Sequence, residues 1–374
     1  MKDMILELRR KLISSVGRNK AGGLLFSGGL DSAILASINS KVKAITVNLE
    51  SYGNDKTYAE SLVRFLNIEH YHWKVSIDEA ISSLPEVIKA LKTFDPAIPN
   101  DLVVYFGLKK AAELNIDTVM AGDGSDELFG GYSFMQEIDD LEAYIEKISR
   151  QMKFSSNELG DFFNIKIKQP FVDKEVMDFA LRIPAENKIR QEGGNLWGKW
   201  ILRKAFENSL PPDIIWQDKR PLEFGSGMTK IREVISSKVC DKEFKEAKKS
   251  SPIKFWDKEH YYYYRIYKDV IGDIPKPRDG EKKCPCCGAG MQPAAFHCKV
   301  CGCILNWKVL GTKNKGRWSV MSSQKAKVKS QKGMGKKTAP KTKAISYRLK
   351  CPKTANGLSH FVMYGDIKEE KTLL

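Results

Sequence analysis

The chain has 374 residues, 42% of them hydrophobic and 29% charged, which is too long for one small domain and ordinary for a globular protein. No apolar run approaches the roughly 20 residues that cross a bilayer, and MKDMILELRRKLISS at the start mixes acids and bases with apolar residues, so we expect no membrane span, no leader and a cytoplasmic location. The net charge of +16 is concentrated: from Lys276 to Lys353 there are 20 Lys and Arg against two acids, Asp279 and Glu281, and the rest is close to neutral.

Ile5, Leu8 and Leu12 recur at helical spacing and predict an opening helix. Short apolar or β-rich runs at 22–26, 42–47, 70–75 and 117–121 predict strands, separated by helical patterns at 31–40, 56–67, 78–92 and 100–114. Strands alternating with 10–15-residue helices imply a parallel, doubly wound α/β sheet, whose ligands bind outside the carboxyl ends of the strands. From about 135 to 270 the period is mainly that of helices, broken by turn signals at QPF, EGGN and LPPD, which predicts a helical second half. The tyrosine row 261–264 reads more simply as helix packing than as a base-stacking surface. The charged segment DIPKPRDGEKK then marks a linker.

The first strand runs into Ser27-Gly28-Gly29-Leu30-Asp31-Ser32 and a helix. Glycines let backbone N–H groups approach an anion, the helix N-terminus supplies free donors, and Ser27 and Ser32 add hydroxyls. This predicts a pyrophosphate cradle unlike the Walker loop, which requires a lysine. A carboxylate beside a triphosphate is repulsive unless a divalent ion lies between them, which assigns Asp31 to Mg²⁺.

SGGLDS resembles the signature of the PP-loop ATP pyrophosphatases, which split ATP between its α and β phosphates to adenylate a substrate. Three further stretches are similar to the synthetase domain of the asparagine synthetases: GDGSDELFGGY at 122–132, QPFVDKEV at 169–176, and WGKWILRKAFENSLPPDIIWQDKRPLEFGSG at 197–227. The resemblance implies that Phe26, Val47, Ala121 and Gly122, with the loop residues Ser27, Gly28, Gly29, Asp31 and Ser32, bind ATP. It implies that Asp31 and Asp126 hold Mg²⁺, that Asp123 handles the attacking amine, and that Lys219 binds the reacting α-phosphate. Lys199 and Arg203 fit a KxxLR helix in the family, and equally a solvated helix face. Three acids in five residues, Asp123, Asp126 and Glu127, require a bridging cation beside a triphosphate.

The activity so implied is an amide-forming ligase: a carboxylate, in the main branch aspartate, is adenylated with release of pyrophosphate and then aminated. Family members usually begin with a glutaminase domain bearing an N-terminal cysteine. Here Lys2 follows Met1 and the phosphate loop begins at Ser27, so we expect free ammonia, ammonia from a separate glutaminase subunit, or another amine, the last of which would change the product.

Cys284-x2-Cys287 and Cys298-x2-Cys301 are two knuckles, each followed by glycine. Four thiolates at this spacing predict a structural Zn²⁺ ribbon, with Cys286 and Cys303 as spares and His297 as a substitute ligand; a redox or iron–sulfur role is the alternative. The expected division is a synthetase-like body at 1–272, a linker at 273–283, a zinc ribbon at 284–306 and a basic, flexible tail at 307–374. Lysines at that density can neutralise RNA phosphates. A second reading is therefore an RNA- or protein-modifying ligase that presents its macromolecular substrate on the ribbon and tail.

Overall fold

The computed structural model describes residues 1–305 other than 51 and 54; the basic tail lies outside the described residues, as does any flexibility or RNA contact expected of it. Five parallel strands, β1 (Gly23–Leu25), β2 (Lys43–Leu49), β3 (His70–Val75), β4 (Thr118–Met120) and β5 (Lys166–Lys168), form a sheet in the order β3-β2-β1-β4-β5. Leu24 pairs with Ala44 on one side and Met120 on the other, so β1 and β4, which carry the two glycine loops, are neighbours. This is the α/β fold that the alternation of strands and helices predicts.

Helices α1 (Lys2–Arg18), α2 (Leu30–Ile38), α3 (Asp55–Leu66), α4 (Ile77–Ser82), α5 (Leu84–Leu91), α6 (Ile98–Glu113) and α7 (Ser125–Phe129) belong to the first half. The second half adds α8 (Leu141–Ser149), α9 (Ser155–Phe163), α10 (Lys174–Leu181), α11 (Ala185–Lys188), α12 (Trp200–Phe206), α13 (Pro212–Ile215), α14 (Leu222–Gly225), α15 (Lys230–Ser237), α16 (Asp241–Ser250) and α17 (Lys258–Val270). A hairpin of β6 (Arg190–Glu192) and β7 (Asn195–Trp197) turns at the EGGN signal.

The sheet separates two apolar cores. One gathers Leu8 and Leu12 of α1, Ile34 of α2, Ile145 of α8 and Phe206 of α12; the other gathers Ile45 and Val47 of β2, Phe106 of α6, and Tyr263 and Tyr267 of α17. Strand β2 is buried almost throughout because both faces are covered, which is why its sequence reads as a near-continuous apolar run. Burying each large side chain contributes roughly 1.5–3 kcal/mol, so the two layers fix the crevice at the strand ends. The tyrosine row packs as expected: the Phe94 ring lies 5.3 Å from that of Tyr264 and 5.2 Å from that of Tyr267.

Strand β5 is absent from the sequence reading. It has three residues, only Ile167 is a strong β-former, and its lysines sit on a sheet edge, so its signal is weak. Among the described residues no helix is long and apolar enough to cross a membrane.

Candidate active site and metal centre

The two glycine loops leave the carboxyl ends of β1 and β4 side by side. Gly28 has a positive φ of 69°, and a Cβ there would lie 2.6 Å from Ala59 N, so this position requires glycine. The turn puts Asp31 in the first turn of α2, facing the second loop. Ser125, at the start of α7, donates its hydroxyl to Asp31 Oδ1 at 2.6 Å.

Four charged side chains meet here. Lys199 Nζ lies 2.8 and 2.6 Å from the two oxygens of Asp31 and 2.7 Å from Asp126 Oδ1. Lys219 Nζ donates to Asp126 Oδ2 at 2.6 Å. Burial alone would raise the Asp126 carboxyl, but Lys199 and Lys219 outweigh it and hold it below the usual range. Lys199 and Arg203 are buried, which overturns the solvated-face alternative for the KxxLR helix. Sequence spacing did not decide the point because Lys199 is not on a regular helix face: it precedes α12 with a φ of 55°, and its backbone turns the side chain inward.

Arg203 organises the loop that carries Lys219. Its Nε donates to the Gly198 carbonyl at 2.9 Å, and its Nη1 donates to the carbonyls of Ile215 and Gln217. The Gln217 side-chain amide donates to the Gly28 carbonyl at 3.1 Å, tying this loop to the phosphate loop. Next along, Arg220 stacks on Tyr58 with its guanidinium carbon 3.7 Å from the ring centre, and lies 3.6 Å from Asp55. Burial pushes the Asp55 carboxyl up to about 7 against the pull of Arg220.

Asp123 faces the same cavity. Its Oδ2 accepts the Ser156 hydroxyl at 2.6 Å and the Gln169 amide at 2.9 Å. Burial raises its pKa, Asp31 and Asp126 add to the rise, and the two hydrogen bonds oppose it. Ser156 and Gln169 flank β5, the strand missed in the sequence; Gln169 opens the QPF segment, and Ser156 carries no local signal. Glu127 accepts the Tyr132 hydroxyl at 2.8 Å and is pushed up to about 8 by burial and by Asp126. Two ammonium groups answer Asp31 and Asp126, and Glu127 is biased toward its neutral form.

The cavity has a volume of about 190 Å³. Phe26, Ser27, Gly29, Asp31, Ser32, Val47, Ala121, Gly122, Asp123, Asp126 and Lys219 all line it, with Lys199, Arg203, Asp55 and Arg220. Gly28 lies behind this surface. Asp31 and Asp126 offer hard oxygens converging on one point, a donor set that fits Mg²⁺ held by one or two carboxylates with water and phosphate completing its shell.

The cysteines form a second centre. The sulfurs of Cys284, Cys287, Cys298 and Cys301 lie within 4.8 Å of one another, with 3.7 Å between Cys284 and Cys301 and between Cys287 and Cys298. A tetrahedron with Zn–S bonds of about 2.3 Å has edges of about 3.8 Å, so the set fits a tetrahedral thiolate-bound metal. The two knuckles share one backbone pattern. Gly288 N donates to Cys284 O and Cys284 N to Ala289 O; Gly302 N donates to Cys298 O and Cys298 N to Cys303 O.

This centre is packed onto the body. Phe94 N donates to Val300 O at 2.8 Å, Thr93 Oγ1 donates to Lys299 O at 2.7 Å, and His297 Nε2 lies 3.0 Å from Asp95 Oδ2. Asp95 in turn accepts from Ala97 N at the start of α6. Further along α6, Asn100 Oδ1 accepts from Glu223 N, four residues beyond Lys219. Buried Arg232 binds Glu223, Glu259 and the Pro96 carbonyl, closing a continuous path from the cysteine knuckles to the lysine loop.

Comparison with known proteins gives the lineage. A probable glutamine-hydrolyzing asparagine synthetase of Dictyostelium discoideum is 27% identical over 315 residues, covering 74% of this chain and 57% of that protein. Asparagine synthetase B of Escherichia coli K12 is 27% identical over 298 residues, covering 71% and 53%. The chain thus spans a little over half the length of these relatives. A solved structure of the U34-tRNA thiolase of Methanococcus maripaludis with its 4Fe-4S cluster aligns over 73% of this chain and 82% of that one, at 16% identity and a TM-score of 0.32, too low to carry an argument. The asparagine synthase family model matches residues 8–164 and 152–262, and with both glycine loops and the lysine loop inside that span, the chain belongs to the asparagine synthase family.

Proposed function

We propose that the chain is an ATP-dependent amide-forming ligase that adenylates a carboxylate, most simply that of aspartate, and passes the acyl group to ammonia. The observation that carries this reading is the meeting of Asp31, Asp126, Lys199 and Lys219, from three separate stretches of sequence, in one cavity beside Asp123.

In this reading the loop from Ser27 to Ser32 holds the phosphates of ATP, and Phe26, Val47, Ala121 and Gly122 frame the nucleotide. A carboxylate oxygen of the acceptor attacks the α-phosphorus, the bond to the bridging oxygen breaks, and pyrophosphate leaves. Lys219 neutralises charge that grows at the α-phosphoryl oxygens in the transition state. Mg²⁺ held by Asp31 and Asp126 would supply further neutralisation of the triphosphate. Ammonia then attacks the acyl carbon, AMP leaves, and the surplus proton passes to Asp123. A buried carboxylate whose pKa is raised is a better base than an exposed one, provided it is ionised.

The cysteine centre is read as structural Zn²⁺, because its four thiolates make up a complete tetrahedral donor set. The RNA- or protein-ligase reading rests on the basic stretch 276–353, most of which lies outside the described residues. One preparation separates the two. We expect pyrophosphate release to depend on ATP, Mg²⁺ and aspartate, asparagine to accumulate with ammonium, and both to persist when residues 307–374 are deleted. Salt-dependent tRNA binding without aspartate-stimulated pyrophosphate release would favour the macromolecular substrate instead.

A further inference from the structure

Asp31 and Asp126 come from different loops, and a single ammonium brings their carboxylates together. The Lys199 side chain is 4% exposed and touches both, whereas Lys219 reaches only Asp126 from a side chain that is 37% exposed. The chain is built to deliver that ammonium. Lys199 takes up a positive φ, its N–H donates to the Phe129 carbonyl at 3.0 Å, and its stem crosses Gly131. A Cβ at Gly131 would lie 2.2 Å from Lys199 Cε and 2.0 Å from Asp126 Oδ1, so the last glycine of the loop is the gap through which the lysine enters.

We propose that Lys199 is the resident cation of the nucleotide-free site: it occupies the point between Asp31 and Asp126 where a divalent ion binds, and must leave it before that ion can enter. The inference rests on the reading of this cavity as a Mg²⁺–ATP site. A divalent ion arriving alone gains two carboxylates but strands a buried ammonium without a partner. An ion arriving with a triphosphate brings anionic oxygens onto which that ammonium can turn. Ion and nucleotide therefore load together, each raising the affinity for the other by the same factor. Lys199 is on this account a positioning residue that sets the order of loading.

The test is Mn²⁺ binding followed by electron paramagnetic resonance, with the full-length chain carrying zinc. Wild-type protein without nucleotide is expected to bind Mn²⁺ weakly. Lys199→Met, its melting temperature checked, should bind Mn²⁺ at least tenfold more tightly without nucleotide, and should bind α,β-methylene-ATP more weakly in the absence of metal. Unchanged or weaker Mn²⁺ binding by folded Lys199→Met would overturn the proposal. A second measurement needs no folded Lys199 variant. In wild type, Mg²⁺ alone should barely raise the melting temperature, while Mg²⁺ with ATP should raise it more than the two separate shifts combined. Tight Mn²⁺ binding to nucleotide-free wild type, lost in Asp31→Asn, would refute it. If wild type binds neither ATP nor its methylene analogue, the reading of the cavity fails first and takes this inference with it.

Discussion

The nucleotide cavity and the cysteine centre solve the burial of reactive groups in opposite ways. In the cysteine centre every partner lies within 20 residues of sequence, two copies of one backbone pattern set the sulfurs, and the spacing of 3.7 Å is already that of a metal tetrahedron. In the cavity the lining residues run from Leu25 to Leu222, and the carboxylates of Asp31 and Asp126 are held together by the ammonium of Lys199, from a distant stretch of sequence. The first is a fixed fastening, and the second, on our proposal for Lys199, is an arrangement rebuilt when substrate arrives. The path through Asp95, α6, Asn100 and Glu223 joins them, so the fastening supports the lysine loop.

The largest effects should come from the cavity. Replacing Asp31, Asp126 or Lys219 by alanine should lower pyrophosphate formation by about two to three orders of magnitude while far-ultraviolet circular dichroism stays native. Near-normal turnover in Lys219→Ala, measured with the acceptor, would remove that lysine from the chemistry.

Asp123→Asn separates the two halves of the reaction. It should slow amide formation by about 10²- to 10⁴-fold and leave acceptor-dependent exchange of pyrophosphate into ATP much less affected. In wild type, a base whose pKa is raised by burial loses its charge at higher pH than an exposed aspartate. The acid limb of the amination rate should therefore sit at higher pH than an exposed aspartate would give, and vanish in Asp123→Asn. Equal loss in both half-reactions would show that Asp123 serves adenylation as well.

On the other side of the comparison, Cys298→Ser or stripping by a chelator should lower the melting temperature by several degrees and weaken ATP binding, because α6 and the lysine loop lose their anchor. Metal analysis should give one zinc per chain before treatment. ATP affinity unchanged after complete zinc removal would break the proposed link between the regions.

The smallest effect concerns stability and pH. Glu127 has a folded pKa near 8 against an ordinary 4.5, so its contribution to stability is complete below about 4.5 and is lost as pH rises toward 8. Glu127→Gln keeps the Tyr132 contact in shape and should flatten the fall in melting temperature over that window. An unchanged slope would mean that Glu127 is not buried in its neutral form.

How much of this was legible depended on how local each signal is. SGGLDS, GDGSDELFGGY and the cysteine knuckles are compact, because phosphate loops and metal knuckles need particular residues at fixed spacing. The parallel sheet was legible because four strands alternate with helices. Strand β5, with its K-I-K pattern, was not, and with it went Ser156 and Gln169 as the partners of Asp123. Lys199 was visible but undecided: nothing in a helical pattern says that the residue before α12 adopts a positive φ and points inward past Gly131. The docking of His297 on Asp95 joins positions 202 residues apart, and no local pattern encodes it.

The central claim is that the acceptor's carboxylate oxygen attacks the α-phosphorus of ATP in this cavity. Aspartate carrying ¹⁸O in its side-chain carboxylate, turned over with ATP, Mg²⁺ and ammonium, tests this directly by mass spectrometry of the nucleotide product. The account predicts one ¹⁸O atom in AMP for each amide formed; AMP free of label, or ADP in its place, would contradict it.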